Sequence, residues 1–262
     1  MALTVTSAAL AQDARLRKLD SGVEAAAWEA VGRLDIGGKG FCTGALIAPK
    51  LVLTAAHCLY DRDTHKRIDN ESVQFLAGWR DGHAEAYRNV KRFVVHPKYD
   101  INDTKTSNRV RNDLALLELD RPISGTAIRP FSTASRPRKG DRVGVVSYAQ
   151  GRSDAPSLQE ICSVLARQDG VLVTSCSVDF GASGAPIFTF ENGEAHIVSV
   201  VSAKAEVEGT AVSLGTSLGQ PLALLQAELV SGGGVYLPLD GPARQTLVGA
   251  EPQVTGARFV TN

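Results

Sequence analysis

The apolar residues of this chain come in short runs punctuated by Gly, Pro, Asn and Asp. Runs of this length bury themselves most readily as strands, so the pattern predicts an all-β fold. Strands are expected over Ala30–Leu34, Phe41–Ala48, Leu51–Ala55, Val73–Ala77, Lys91–Val95 and Asp113–Glu118. A second set covers Asp141–Tyr148, Glu160–Arg167, Val171–Thr174, Pro186–Glu191 and His196–Ser202. Many of these carry β-branched residues, and several alternate apolar with polar. Gly37-Gly38 and Asn192-Gly193 are expected hairpin turns. The stretch Asp120–Lys139 holds Pro122, Pro130 and Pro137 and reads as a crossover between two β-lobes. One helix is expected, over Gln220–Leu229, with Pro221 in its first turn and Gly232-Gly233-Gly234 ending it.

A chain of 262 residues can bury a substantial core. It divides into an N-terminal segment 1–20, a first lobe 21–120, the crossover 121–140, a second lobe 141–230 with the helix, and a tail 231–262. Twenty-eight basic residues balance 28 acidic ones. That balance gives no electrostatic footprint for nucleic acid or an anionic membrane, so any substrate must be read from a site. No apolar run reaches membrane-spanning length. Met1–Gln12 is small and apolar, and Ala9-Leu10-Ala11 has the form of a signal-peptidase site. Segment 1–20 therefore reads as the remnant of an export signal or as a flexible, Ala-rich N-terminus. Cys42, Cys58, Cys162 and Cys176 are even in number. In an exported protein they read as two disulfides, with three connectivities open. A short loop closed locally would contribute about 3 kcal/mol. Without a Cys-x-x-Cys spacing, a metal site has little support. Reduced, buried cysteines of a cytosolic protein are the other reading.

Three motifs carry the chemistry. They are Leu53-Thr54-Ala55-Ala56-His57-Cys58, Asn112-Asp113-Leu114-Ala115-Leu116-Leu117 and Gly181-Ala182-Ser183-Gly184-Ala185-Pro186. A serine hydroxyl is a weak nucleophile until a base removes its proton, and that base works best when a carboxylate orients it. The order His, Asp, Ser argues against an α/β-hydrolase, where the serine comes first. The motifs, with Phe41–Ile47 and Val94-Val95-His96-Pro97-Lys98-Tyr99, resemble the chymotrypsin-like (trypsin superfamily) serine peptidases over residues 30–230. Within that family the chain looks closest to bacterial secreted members.

The resemblance implies two six-stranded antiparallel β-barrels with the active site between them and a short C-terminal helix. It implies a serine endopeptidase, secreted or periplasmic and monomeric, with no metal or organic cofactor. Its partners would be a polypeptide substrate and, in addition, a proteinaceous inhibitor, with no nucleic acid or membrane among them. His57 would be the base, Asp113 its orienter and Ser183 the nucleophile. The backbone N–H groups of Gly181 and Ser183 would form the oxyanion hole. A disulfide between Cys42 and Cys58 is implied beside the histidine. Ser177, Ser202, Ala203 and Lys204 would line the substrate cleft.

Two departures stand out. Ala182 replaces the aspartate that commonly precedes the nucleophile and pairs with a newly cut N-terminal ammonium, so the fold itself must hold the loop Val178–Gly181. Ser177 stands where trypsin-like members carry a specificity-setting aspartate, and Val201 where glutamyl-specific ones carry histidine. A small or aliphatic preference is expected. Two rival functions share the fold: a catalytically silent homologue acting as a binding protein, and an esterase or acyltransferase using the same triad.

Overall fold

The computed structural model describes residues 16–236, apart from 20, 39, 126, 135, 136 and 208. Residues 1–15 of the expected export segment, Ala9-Leu10-Ala11 among them, and residues 237–262 of the expected tail lie outside that set.

The described chain opens with β1 (Arg17–Lys18) and α1 (Gly22–Ala25), then enters a first run of strands. These are β2 (Val31–Ile36), β3 (Phe41–Ala48), β4 (Leu51–Thr54), β5 (Val73–Ala77), β6 (Ala86–Val95) and, after α2 (Thr106–Asn112), β7 (Ala115–Leu119). They pair antiparallel in the order β6-β5-β2-β3-β4-β7, and β7 pairs back with β6, so the sheet closes. Closure leaves no exposed edge within the ring. The interior is packed with Leu34, Leu46, Val52, Leu53, Phe75, Phe93, Leu116 and Leu117, all fully buried. Gly32 makes room for this core, because a Cβ there would lie 2.3 Å from the Phe75 ring.

The second run is β8 (Arg142–Ala149), β9 (Arg152–Gln168), β10 (Val171–Thr174), β11 (Pro186–Glu191), β12 (Glu194–Val207) and β13 (Thr210–Ser217). Its order is β9-β10-β13-β12-β11-β8, and β8 pairs back with β9 into a second ring. Its own apolar cluster is smaller: Val143, Val145, Val164, Leu172, Ile187, Val198 and Val201 around a disulfide between Cys162 and Cys176. Aromatic rings seal the seam between the lobes, with Phe188 meeting Trp28 at 5.2 Å and Phe131 at 4.8 Å, edge to face.

The last elements are α3 (Gly219–Val230) and β14 (Val235–Tyr236). Leu222, Leu225 and Leu229 bury one side of α3. Arg92 of β6 donates to the carbonyls of Leu229, at 3.0 Å, and Gly233, at 3.1 Å, which holds the helix end. The first and last described strands cross over: β1 pairs with β9 of the second barrel, and β14 with β6 of the first.

The all-β, two-barrel expectation holds, and β3, β5, β10 and β11 have the expected bounds. Other elements differ. Strand β6 begins at Ala86 rather than Lys91, and β9 and β12 run longer than expected. Strand β13 was not expected, because its Thr, Ser and Gly residues lack an apolar run. They are nevertheless barrel wall: Ser213 and Thr216 are fully buried and hydrogen-bonded. Helix α2 was not expected either, since Val110 is its one buried residue. Asp113 is therefore the C-cap of a helix, not the first residue of a strand.

Candidate active site

His57 enters from the end of β4, on a 3-10 turn over Ala56–Leu59. That turn is tied to β3 by a disulfide between Cys42 and Cys58, with an S–S distance of 2.10 Å. Nearby, Asp113 ends α2, where the helix can no longer satisfy its last carbonyls. Thr216 of β13 adds a hydroxyl donor here, 2.6 Å from Val110 O, which also accepts the Asp113 N–H, and 3.1 Å from Asp113 O. The second barrel thus holds the backbone of an acidic residue that belongs to the first.

The Asp113 carboxylate is 2% exposed and fully engaged. Oδ1 accepts the backbone N–H of His57 at 2.8 Å, and Oδ2 lies 2.7 Å from His57 Nδ1. Ser202 donates its hydroxyl to the same Oδ2 at 2.5 Å. Burying a carboxylate is costly unless its lone pairs are met, and here three donors meet them. Because carboxylate oxygens only accept, Nδ1 is the donor in this contact, and in the neutral imidazole that leaves the lone pair on Nε2.

Ser183 lies on a turn that only glycine can flank. Gly181 has φ +93° and Gly184 φ +78°, both in the left-handed region. Space is equally restrictive. A Cβ on Gly181 would lie 2.3 Å from the Phe41 ring, and one on Gly184 would lie 2.1 Å from Thr54 Oγ1. Among the described residues, neither the Gly181 nor the Ser183 N–H has a protein acceptor.

A cleft of about 410 Å³ brings these groups together. His57, Asp113, Ser183, Ser202, Ala203 and Lys204 all line it. Ser177 does not: it is exposed outside the lining, its N–H donating to Gln159 Oε1 at 2.8 Å. Val178, Val201 and Ala203 give the wall beside Ser183 an apolar character, and Tyr99, Ile101 and Val110 extend the apolar lining. Burial pushes the Tyr99 phenol pKa well above its usual value, and the charge of Asp113 adds to this.

Phe180 sits at the mouth, with Lys204 Nζ 4.9 Å and the Arg62 guanidinium 5.5 Å from its ring centre. Lys204 also pairs with Asp179 at 3.2 Å. The Phe180 N–H holds the Asp179 carboxyl below the usual range, and Lys204 lowers it further. Lys204 is thus already engaged by a carboxylate and an aromatic face.

Sequence reasoning missed the Ser202–Asp113 bond, the Thr216 cap and the place of His65 on the cleft rim. No spacing rule announces them, since each pairs residues far apart in the chain. The grouping of Cys42, His57 and Cys58 has metal-type side chains, but both sulfurs are spent in the disulfide and offer no thiolate.

Comparison with known proteins agrees with this architecture. The solved structure titled "Structure of Glu endopeptidase in complex with MPD" superposes with a TM-score of 0.65 at 20% identity, covering 78% of this chain and 91% of that one. Human (Homo sapiens) serine protease 56 is 32% identical over 142 residues, 52% of this chain and 21% of that protein. Trypsin of Phaedon cochleariae is 36% identical over 92 residues, 34% of this chain and 32% of that protein. The chain therefore spans about a third or less of these curated relatives. The Trypsin family profile matches residues 20–213, most of the described chain, and the protein belongs to the trypsin family of serine proteases.

Proposed function

We propose that this protein is a serine endopeptidase working through His57, Asp113 and Ser183. The observation that carries the reading is the His57–Asp113 pair, with its 2.7 Å contact at Nδ1, opening into the cleft that Ser183 lines. His57 Nε2 would take the Ser183 hydroxyl proton as Oγ attacks the scissile carbonyl carbon. The N–H groups of Gly181 and Ser183 would stabilise the resulting oxyanion, where one such donor contributes about 3 to 4 kcal/mol. His57 would then protonate the leaving amine, and water would hydrolyse the acyl-enzyme by the reverse proton path.

The substrate side chain next to the cut would be small or aliphatic. Val178, Val201 and Ala203 offer it apolar surface. Ser177 brings no charge, and Lys204 is engaged by Asp179. An exported setting, bacterial and secreted or periplasmic, belongs to the same proposal. Two disulfides support export, since such bonds persist in oxidising compartments. The bacterial placement rests on the motifs alone, and the relatives named above are eukaryotic. No helix among the described residues is long and apolar enough to cross a membrane.

The test is intact-mass analysis after exposure to a fluorophosphonate, with Ser183→Ala as control. One adduct on the wild type and none on the variant is the expected result. Peptide-library cleavage should then favour small aliphatic residues over Lys, Arg or Glu. A folded wild type that takes no adduct would point to a binding protein. An adduct with turnover of simple esters but not peptides would point to an esterase.

A further inference from the structure

An oxyanion hole is a matter of which way two peptide units face. With Ala182 before the nucleophile, no side chain at that position can anchor the loop ionically. Ala182 is nonetheless fully buried, and the peptides around it are held one by one. The Phe180 carbonyl accepts the Gln150 N–H at 2.7 Å. In a trans peptide the N–H points opposite to the carbonyl, so this bond turns the Gly181 N–H away from Gln150. The Ala182 carbonyl likewise accepts the Ala185 N–H at 3.0 Å, which sets the direction of the Ser183 N–H.

The peptide between them, Gly181–Ala182, is held on its N–H side by the Asp179 carbonyl, at 2.9 Å, and on its carbonyl side by a side chain. Thr43 of β3 is fully buried. Its hydroxyl accepts the Tyr148 N–H at 3.1 Å and donates to the Gly181 carbonyl at 2.8 Å. The alternative acceptor, Tyr148 O, is farther away at 3.4 Å, so the hydroxyl's one proton goes to Gly181. The Thr43 backbone N–H donates to the Ser183 carbonyl at 2.8 Å. The Thr43 carbonyl in turn accepts the Thr54 hydroxyl at 2.9 Å. One residue of the first barrel therefore grips the carbonyls on both sides of Ala182. Flipping the Gly181–Ala182 peptide would strand the Gly181 carbonyl and the Thr43 hydroxyl in a buried site, which is unfavourable.

We propose that Thr43 is a positioning residue whose hydroxyl locks the loop 178–184 in its oxyanion-binding form, taking the part of the ionic contact that Ala182 cannot make. The proposal rests on the peptidase reading above. It makes competence a property of the folded lobes, independent of a free N-terminal ammonium.

The test compares Thr43→Val, Thr43→Ser and wild type in the full chain. The readouts are the fluorophosphonate labelling rate, kcat and KM on a peptide, and the melting temperature. Thr43→Val keeps the side-chain shape and removes the hydroxyl. It should lower labelling rate and kcat by about 10²-fold, the usual cost of a lost oxyanion donor, with KM little changed. Thr43→Ser keeps the hydroxyl and should restore both to within about threefold of wild type. Should Thr43→Val fail to fold, Thr43→Cys carries the test: its weaker donor should lower kcat, and a wild-type kcat would overturn the lock. Two results with folded variants also overturn it. One is a Thr43→Val enzyme with wild-type kcat. The other is a Thr43→Ser enzyme as slow as Thr43→Val, with equal losses of melting temperature, which would mark a packing role. A wild type that takes no label overturns the peptidase reading and the lock together, whereas labelling of wild type and Thr43→Val alike sinks the lock alone.

Discussion

The two barrels close alike but are filled differently. The first holds an interior of Leu, Phe and Val, fully buried. The second has a smaller apolar cluster, a disulfide across it, and a set of buried hydroxyls: Thr174, Ser199, Ser213 and Thr216. Those hydroxyls are spent on particular partners. Thr174 and Ser213 bond each other at 2.6 Å, and Ser199 donates to Thr216 O at 2.8 Å. Thr216 reaches across the lobes to Val110 and Asp113. Apolar burial is non-directional and supplies stability, whereas hydrogen bonds fix orientation at small net gain. The first barrel is therefore the main source of stability, while orientation runs both ways across the cleft: Thr216 of the second barrel holds Asp113, and Thr43 of the first holds the loop that carries Ser183.

That contrast can be broken by substitution. The largest stability loss is expected from Phe75→Ala in the first barrel, about 3 to 5 kcal/mol in a denaturant titration. Enzyme that remains folded should keep its kcat, because Phe75 does not line the cleft. Next comes removal of the second barrel's disulfide by Cys162→Ala with Cys176→Ala. Its short loop predicts a loss of about 3 kcal/mol. A loss well above that of Phe75→Ala would show the second barrel to depend on its cross-link and would reverse the comparison. The smallest stability effect is expected from Thr216→Val, about 1 to 2 kcal/mol for the Asp113 carbonyl left without its hydroxyl donor. Here kcat should fall about tenfold as Asp113 loses its backbone anchor, the cost of a small misplacement. A stability loss without any change in kcat would make Thr216 an ordinary part of the barrel wall.

The same contrast explains what could be read from the chain. Strands of the first barrel announce themselves because apolar side chains fill a dry interior, as in Phe41–Ala48 and Val73–Ala77. Thr210–Ser217 was illegible because its inward residues are hydroxyls whose partners lie on other strands. Helix α2 was illegible because one buried valine makes no pattern. His57, Asp113 and Ser183 stand out as the proposed triad through their flanking motifs, yet nothing in the chain marks the groups that hold them. Ser202 and Asp113 are 89 positions apart, and Thr43 and Gly181 are 138. Ser177, which counting along the motif places at the cleft, is exposed and not among the residues that line it.

The crossing of β1 and β14 between the lobes bears on how the molecule is made. Strand β1, at residues 17–18, finds its partner only at residues 157–158 of β9. During vectorial synthesis β1 must therefore wait for its partner until about 140 further residues have been made. Strand β14 is the last described segment and closes onto β6 of the first lobe. Neither lobe reaches its full complement of strands until the other has been translated, so assembly carries a high contact order and is correspondingly slow. The same clasp means that a lobe cannot peel away without first surrendering a strand to solvent.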